Sequence, residues 1–169
     1  ERIFIETKDR KFDEFIKLLE TKSNIIMKNI NVDDFTGTIV FNKKNIGSKS
    51  EISINLTQNG RKFHKPNESL ETSMNMSVLF AISELASDIK EENFPMIFDA
   101  PTSSFGETKT KDFLNLIYDT GKQRIILFYD FVGKNKDSNL FIKPEFNEVK
   151  RNKAFWIKRV RPFRSEEHT

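Results

Sequence analysis

Two aspartates in this 169-residue chain each follow a short apolar run. Asp99 comes after residues 94–98, which read Phe-Pro-Met-Ile-Phe, and Asp130 comes after residues 124–129, which read Arg-Ile-Ile-Leu-Phe-Tyr. Continuous apolar runs of this length are typical of strands that are buried on both faces of a parallel sheet. Ligands of such sheets bind beyond the carboxyl ends of the strands, so we expect both carboxylates in one crevice. They suit Mg²⁺ bound to a phosphate, because this ion keeps several waters and needs only one or two acids.

The composition excludes several other kinds of chemistry. The chain has no cysteine, which excludes a disulfide scaffold, a thiolate nucleophile and a cysteine zinc site. The two histidines, His64 and His168, are too few and too isolated for a histidine-rich metal centre. No apolar run approaches the roughly 18–20 residues that span a bilayer. We therefore expect a cytoplasmic protein that has no membrane partner.

Positive charge is concentrated at the C-terminal end. Residues 143–169 hold 8 Lys and Arg against 4 Asp and Glu, whereas the whole chain holds 28 against 25. This basic end suits a solvated final β region whose charges guard an edge strand. A patch that docks nucleic acid or a partner is the alternative. The sequence leaves both interpretations open.

Hydrophobic periodicity predicts the elements that position the two aspartates. An amphipathic helix is expected over residues 8–30, with a possible break at Ser23-Asn24. Alternating and β-branched residues then predict a β-hairpin formed by residues 37–41 and 51–56. The dipeptide Asn59-Gly60 is a tight-turn signal.

The second half of the chain alternates helices and strands. Helices are expected over residues 72–89 and 107–120, and the second of them joins the two apolar runs. A strand–helix–strand unit of this kind implies a right-handed parallel crossover. Short β-like stretches follow at residues 140–142 and 154–157. The predicted fold class is α/β, with helices packed on a mixed sheet that contains the parallel pair.

The segment that contains Asp99 resembles a known pair of motifs. Residues 94–107 read Phe-Pro-Met-Ile-Phe-Asp-Ala-Pro-Thr-Ser-Ser-Phe-Gly-Glu. They resemble the Walker B strand and the D-loop of ABC-type ATPases, in the SMC-like branch of that family. Asp99 matches the magnesium-linked aspartate of the Walker B motif, Pro101 matches its proline, and residues 103–107 match the D-loop.

Flanking segments resemble other motifs of the same family, in the same order along the chain. Residues 70–75 open a helix where the family has its Leu-Ser-Gly-Gly-Gln/Glu signature, and a helix N-terminus favours a phosphate. Residues 123–130 resemble the strand that leads to the switch loop. The helix and hairpin before residue 60 resemble the place where the long coiled coil of SMC-like proteins returns to the head.

The resemblance implies that the whole chain is one C-terminal lobe of a P-loop ATPase head. Its expected parts are a helical stem at residues 1–30, a hairpin at 35–60, the signature helix, Walker B strand, D-loop and switch strand at 70–130, and a basic β region at 140–164.

Several positions depart from the family pattern. Ala100 stands where the catalytic glutamate is expected, and a methyl group cannot polarise water. Glu71 replaces the signature serine, and its charge is expected to repel a phosphate. Thr72 and Ser73 replace the two signature glycines. A small residue after the Walker B aspartate, together with Asp130 in place of the switch histidine, is similar to the DndD-like branch, which acts in DNA modification and phage defence.

The largest departure is an absence. No Gly-x-x-x-x-Gly-Lys-Ser/Thr loop occurs, and the chain has only 6 glycines, so a cradle for the β- and γ-phosphates is missing. Either the Walker A lobe lies on an upstream stretch or on a separate chain, or the protein is a nucleotide-free relic. The chain does not begin with Met, which favours the first possibility.

The resemblance also implies ligands, partners and roles. Two heads are expected to sandwich ATP and Mg²⁺ in a head-to-head dimer that acts on DNA. Asp99 is the candidate to hold Mg²⁺ or its water, and Asp130 is the candidate to sense the γ-phosphate or to orient water. The further candidates for nucleotide contact are Ser69, Thr72 and Ser73 in the signature-like segment, Ser103 and Ser104 in the D-loop, and Tyr129 at the switch position.

Several alternatives stay open. Because Ala100 replaces the catalytic glutamate, the lobe could bind nucleotide as a switch without hydrolysing it, or mediate assembly alone. A small basic nucleic-acid-binding domain would explain the C-terminal end, but not residues 70–130. Each aspartate could also simply end its strand as a turn or cap residue.

Overall fold

The computed structural model describes residues 2–30, 35–46, 49–90, 95–119, 123–128, 131–137 and 139–147. The chain divides into two compact units, Glu1–Asp130 and Phe131–Thr169. The helices and strands of the first unit are α1 (Arg2–Ile30), β1 (Thr38–Ile46), β2 (Lys49–Gln58), β3 (Arg61–Lys62), α2 (Glu68–Lys90), β4 (Met96–Asp99), α3 (Glu107–Asp119) and β5 (Arg124–Leu127). Those of the second unit are β6 (Val132–Lys134), β7 (Leu140–Ile142) and a short 3₁₀ helix, Pro144–Phe146.

Strands β4 and β5 form the parallel pair that the two apolar runs predict. Ile97 lies opposite Ile125, and Asp99 lies opposite Leu127. Helix α3 makes the crossover between the strands, as a parallel connection requires. The predicted α/β fold class is therefore confirmed. The single mixed sheet is not, because the described strands lie in three separate sheets, and β4 and β5 pair only with each other.

The expectation that this sheet is buried on both faces is wrong. Phe98 is buried, and its ring packs against Phe80 of α2 and edge-on against Phe113 of α3, with ring centroids 5.3 and 6.0 Å away. On the opposite face, Ile97 is 68% exposed and Leu127 is 46% exposed. The two helices cover one face of the pair, and nothing among the described residues covers the other.

Helix α2 is apolar on more than one side because it packs against two groups of elements. Leu70 and Val78 join a buried cluster with Met27 of α1, Ile39 of β1 and Leu56 of β2. Phe80 of the same helix belongs instead to the aromatic group that covers β4. One helix thereby holds the hairpin and the parallel strands in a single unit.

Helix α1 runs unbroken through the break predicted at Ser23-Asn24. The side-chain amide of Asn24 donates to the Glu20 carbonyl inside the helix and to the Ile39 carbonyl of β1, and its oxygen accepts from the Ile39 N–H. The Glu20 carboxylate accepts from the Phe41 N–H at 2.8 Å. These side chains satisfy backbone groups along the free edge of β1, which would otherwise be buried without partners.

Strands β1, β2 and β3 form an antiparallel sheet in that order. The turn between β2 and β3 is Asn59-Gly60, and both residues have positive φ, 52° and 72°. Two successive positive φ angles are typical of a type I′ hairpin turn, which confirms the tight turn that this dipeptide predicts.

Ion pairs add to the contact between α1 and α2. The ammonium of Lys22 lies 3.1 Å from Asp88 and 3.5 Å from Glu84. Burial lowers the pKa of Lys22, but the two carboxylates outweigh it and leave this pKa raised. Because Lys22 meets Glu84 while Met27 meets Ser77, the two helices run antiparallel.

In the second unit, β6 and β7 pair antiparallel, and the ring of Phe131 packs on that of buried Phe146 at 4.8 Å. The predicted β stretch at 140–142 is therefore a strand. The stretch predicted at 154–157 and the basic residues from 148 onward lie outside the described residues. In the part of the chain that the structure describes, none of the helices has the length and apolar character needed to cross a membrane.

Asn24 provides a direct test of how α1 is attached to the sheet. Replacing Asn24 with Ala leaves the N–H and C=O of Ile39 without partners, and we expect a loss of about 2 to 3 kcal/mol of unfolding free energy. Asn29, which is exposed on the same helix, is the matched control, and its replacement by Ala should leave stability nearly unchanged. Urea unfolding followed by circular dichroism measures both variants. Equal losses would contradict the assigned role of Asn24.

Candidate functional site

Asp99 is the last residue of β4, and its side chain is exposed at the carboxyl end of the parallel pair. This is the edge at which parallel sheets bind ligands. The N–H of the next residue, Ala100, donates to the Leu127 carbonyl at 2.9 Å and so continues the pairing with β5 by one step. Pairing with β5 therefore holds the backbone at and after Asp99, while the Asp99 carboxylate stays accessible.

Ala100 has a φ of 45°. A non-glycine residue in this left-handed region is strained by about 1–2 kcal/mol. The strain coincides with a sharp change of direction, because the Ser103 N–H donates back to the Ala100 carbonyl at 3.1 Å. The chain thus turns immediately after the exposed carboxylate.

The turn at residues 101–106 is fixed by its own contacts. Thr102 is buried, and its carbonyl accepts from the Phe105 N–H at 2.9 Å. The Phe105 ring packs edge-on against Phe113 of α3, with centroids 6.1 Å apart. This turn overlaps residues 103–107, the segment that resembles a D-loop.

The first turn of α2 begins at a well-formed cap. The side-chain oxygen of Asn67 accepts from the Leu70 N–H at 2.8 Å, and its carbonyl accepts from the Glu71 N–H at 3.0 Å. Asn is among the preferred residues at this position, because it satisfies a donor that the helix leaves unpaired. The cap sets the helix start, which is the part that resembles the signature segment.

Two side-chain hydrogen bonds connect the first turn of α2 to the region after β4. Ser104 in the turn donates to the Thr72 hydroxyl at 3.2 Å. Lys109 in α3 donates to the Ser69 hydroxyl at 3.0 Å. Three of the sequence-predicted residues, Ser69, Thr72 and Ser104, are therefore brought into one region.

The other predicted contacts are placed differently. Ser73 is fully buried, and its hydroxyl donates to the Ser69 carbonyl at 2.8 Å, inside the helix. Ser103 is exposed. Tyr129 and Asp130 lie outside the described residues, so their expected roles stay predictions.

Glu71 lies on a different side of α2 from Ser69 and Thr72. It lines an open groove of about 330 Å³ together with Met74 of the same helix and with Lys62 and Lys65. Ser69 and Thr72 instead meet the turn after β4 and α3. The negative charge that replaces the signature serine is thus directed towards the groove and its lysines. His64 also lines this groove and is exposed.

Lys109 is not among the sequence-predicted residues, yet it is only 9% exposed. The signal that identifies it is helical spacing, because Lys109 lies four residues before Phe113 and therefore on the apolar face of α3. The methylene stem of a lysine can be buried along such a face. Its ammonium also lies 5.8 Å from the centroid of the Phe105 ring.

The described acids fit a magnesium ion that is held mainly by phosphate and water. Asp99 supplies a single exposed carboxylate, and the described residues contain no group of three His, Cys, Asp or Glu that could hold a metal ion. Mg²⁺ on a nucleotide is typically bound through one or two carboxylates and the phosphates. Asp99 suits that arrangement better than a site built entirely from protein ligands.

Comparisons with known proteins bear on the fold alone. No protein-family model and no curated protein matches the sequence. A solved structure described as "Structural biochemistry of ATP-driven dimerization and DNA stimulated activation of SMC ATPases" is similar, with a TM-score of 0.54 and 13% identity over 84% of this chain and 93% of that chain. The fold is therefore similar to that of an SMC ATPase head.

The strained residue after Asp99 generates a stability prediction. Replacing Ala100 with Gly relieves the left-handed strain, and after the added entropy of the unfolded chain we expect a net gain of about 0.5 to 1 kcal/mol. Ala86, exposed within α2, is the control, because glycine in a helix interior should cost about 1 kcal/mol. Denaturant midpoints measure both. A loss at both positions would show that Ala100 is not strained.

Proposed function

We propose that this chain is the C-terminal half of an SMC-like ATPase head, which binds ATP and Mg²⁺ at an interface between two heads. The observation that carries the proposal is the bond between Ser104 and Thr72 beside a parallel strand that ends in exposed Asp99. It joins the segments that resemble the D-loop and the signature helix, and the first of these follows the Walker B-like strand along the chain. The similarity in fold to an SMC ATPase head supports the same proposal.

The exposed face of the parallel pair supports the proposal that a Walker A lobe packs on it. Parallel sheets are normally covered on both faces and contain more than two strands. Here Ile97, Ile125 and Leu127 leave one face of a two-stranded sheet accessible. We propose that strands and helices of a Walker A lobe, on the same or another chain, extend and cover this sheet.

The first part of α1 supports a coiled-coil stem. Residues 4–14 are all exposed, including Phe4 at 75% and Ile5 at 53%. Ile5 and Phe12 are seven residues apart and continue, at the same spacing, a stripe that is buried further along at Leu19 and Ile26. A heptad stripe of this kind suits a second helix packed against it.

Asp99 is the residue that we propose holds Mg²⁺, directly or through water. When bound, the ion would neutralise charge on the phosphates and orient them. Ser69 and Thr72 of one head would donate to the γ-phosphate held by the other, and Ser103 and Ser104 would lie at the same interface. Asp130 is proposed to sense this phosphate or to orient water, and Tyr129 is proposed to lie beside it.

A role on DNA is part of the proposal. The similar structure is described in terms of ATP-driven dimerization and DNA-stimulated activation. The small residue after Asp99 and the aspartate at position 130 suit the DndD-like branch of DNA repair and defence ATPases. We propose that nucleotide-dependent pairing of two heads is coupled to DNA repair, DNA organisation or anti-phage defence.

A non-hydrolysing switch is the second candidate, and Ala100 favours it. This residue follows the Walker B-like aspartate and carries no group that could accept a proton from water. In such a switch, nucleotide binding alone would drive the pairing of heads, and release would reset it.

Asp99 tests the site itself. In a head reconstituted from this chain and a Walker A lobe, replacing Asp99 with Asn is expected to lower magnesium-dependent ATP turnover about 100-fold or more, because a ligand of the ion is lost. Where turnover is too slow to follow, affinity for Mg²⁺–ATP is the readout. Asp9→Asn, on the exposed stem, removes the same charge and is the control. Nucleotide binding and turnover that survive Asp99→Asn would contradict the proposed metal ligand.

Ala100 separates hydrolysis from switching. Replacing Ala100 with Glu supplies a general base next to Asp99, and we expect turnover by the reconstituted head to rise by about 100-fold, at the lower end of the usual contribution of such a base. Phosphate release under single-turnover conditions measures this change. If the unmodified head already hydrolyses ATP and Ala100→Glu does not raise its turnover, the general base lies elsewhere in the head. That result would contradict the non-hydrolysing switch.

A further inference from the structure

Lys109 is a buried cation in the first turn of α3, beside the residues proposed to meet nucleotide. It is 9% exposed, and its ammonium lies 3.0 Å from the Ser69 hydroxyl oxygen. Lysine is almost never buried to this degree without a specific partner, because the charged form loses its hydration. Its ammonium therefore acts on the groups that it contacts, and the Ser69 hydroxyl is one of them.

The contact determines which way the Ser69 hydroxyl can bond. An ammonium has donors and no acceptor, so the Ser69 oxygen must accept from Lys109. The proton of that hydroxyl is then left to be donated. Among the described residues, no further hydrogen bond of the Ser69 side chain is found.

The first turn of α2 also needs a positive charge if it is to bind an anion. Glu68 and Glu71 lie in this turn, and both carboxylates oppose the attraction that a helix N-terminus has for a phosphate. Lys109 brings a cation to the Ser69 side of the turn. There its charge offsets the negative charge of Glu68 and Glu71. It does so next to the Ser69 hydroxyl, which has a proton to donate.

We propose that Lys109 is a positioning residue, which holds Ser69 as a hydrogen-bond donor towards a phosphate oxygen of the nucleotide. This proposal rests on the proposed function. It assigns to Lys109 and Ser69 the role that the glycines and the serine of a complete signature would otherwise have. Lys109 acts through Ser69 and is not itself placed in contact with the nucleotide. A purely structural lysine would instead serve only to fill the space between α2 and α3.

The two roles predict different behaviour in a double-mutant cycle. The variants are Lys109→Met, Ser69→Ala and the double substitution, each in the head reconstituted with the Walker A lobe. Lys111→Met is the matched control, since Lys111 lies two residues further along α3 and pairs with Glu107 at the surface. Affinity for Mg²⁺–ATP is measured by equilibrium titration, and thermal midpoints are recorded for every variant.

For a positioning role, Lys109→Met and Ser69→Ala each weaken Mg²⁺–ATP binding about 10-fold, as expected for a hydrogen bond to a charged group. The double variant is no weaker than either single one, because both substitutions remove the same interaction. The loss of binding at Lys109→Met exceeds what any fall in its thermal midpoint accounts for, whereas a lysine that only packs α2 against α3 would lower both together. Lys111→Met binds as the unmodified head does.

Three results would overturn the proposal. Lys109→Met could bind Mg²⁺–ATP as well as Lys111→Met does, its effect could add in full to that of Ser69→Ala, or binding could fall only in parallel with the thermal midpoint. In each of these cases the unmodified head binds nucleotide, so the proposed function stands and only the role of Lys109 is lost. A reconstituted head that binds no Mg²⁺–ATP at all would instead refute the proposed function, and this proposal with it.

Discussion

Helix α2 must be buried on two sides, and the arrangement of the first unit depends on this constraint. Leu70 and Val78 bury one side against α1 and the hairpin, whereas Phe80 buries the other against Phe98 and Phe113. Interiors are close-packed, so neither contact can shift without disturbing the other. The same packing places the first turn of α2 beside the turn that follows β4. The proposed nucleotide contacts are thus a consequence of how the core is built.

Much of this arrangement could be predicted from the sequence, because the signals are local. The apolar runs that end at Asp99 and Asp130 predict the parallel pair, and β4 and β5 do pair in parallel. Asn59-Gly60 predicts a tight turn, and both residues have the positive φ that such a turn requires. Apolar runs joined by a helix of crossover length predict a parallel pair, and Asn-Gly restricts its own backbone to a tight turn, so both predictions need only the local sequence pattern.

The remaining features depend on contacts between distant parts of the chain. Asn24 has the residue type of a helix break, yet its amide bonds to Ile39, fifteen residues away, and the helix continues. The apolar residues of β4 predict burial on both faces, whereas Ile97 is exposed, because burial depends on which elements are present to cover a face. Lys109 has the residue type of a solvated surface position, and only its spacing from Phe113 indicates that it lies on the buried face of α3.

The central claim is that Asp99 and the first turn of α2 lie around one bound Mg²⁺–ATP. Mn²⁺ binds in place of Mg²⁺ and broadens the NMR signals of nearby nuclei, so the most direct measurement is the effect of Mn²⁺–ATP on the amide signals of this chain in the reconstituted head. The account predicts that signals around residues 99–105 and 68–73 broaden, while those of the exposed stem at residues 4–14 do not. Broadening confined to other parts of the chain, or unchanged signals at Asp99 with nucleotide bound, would contradict it.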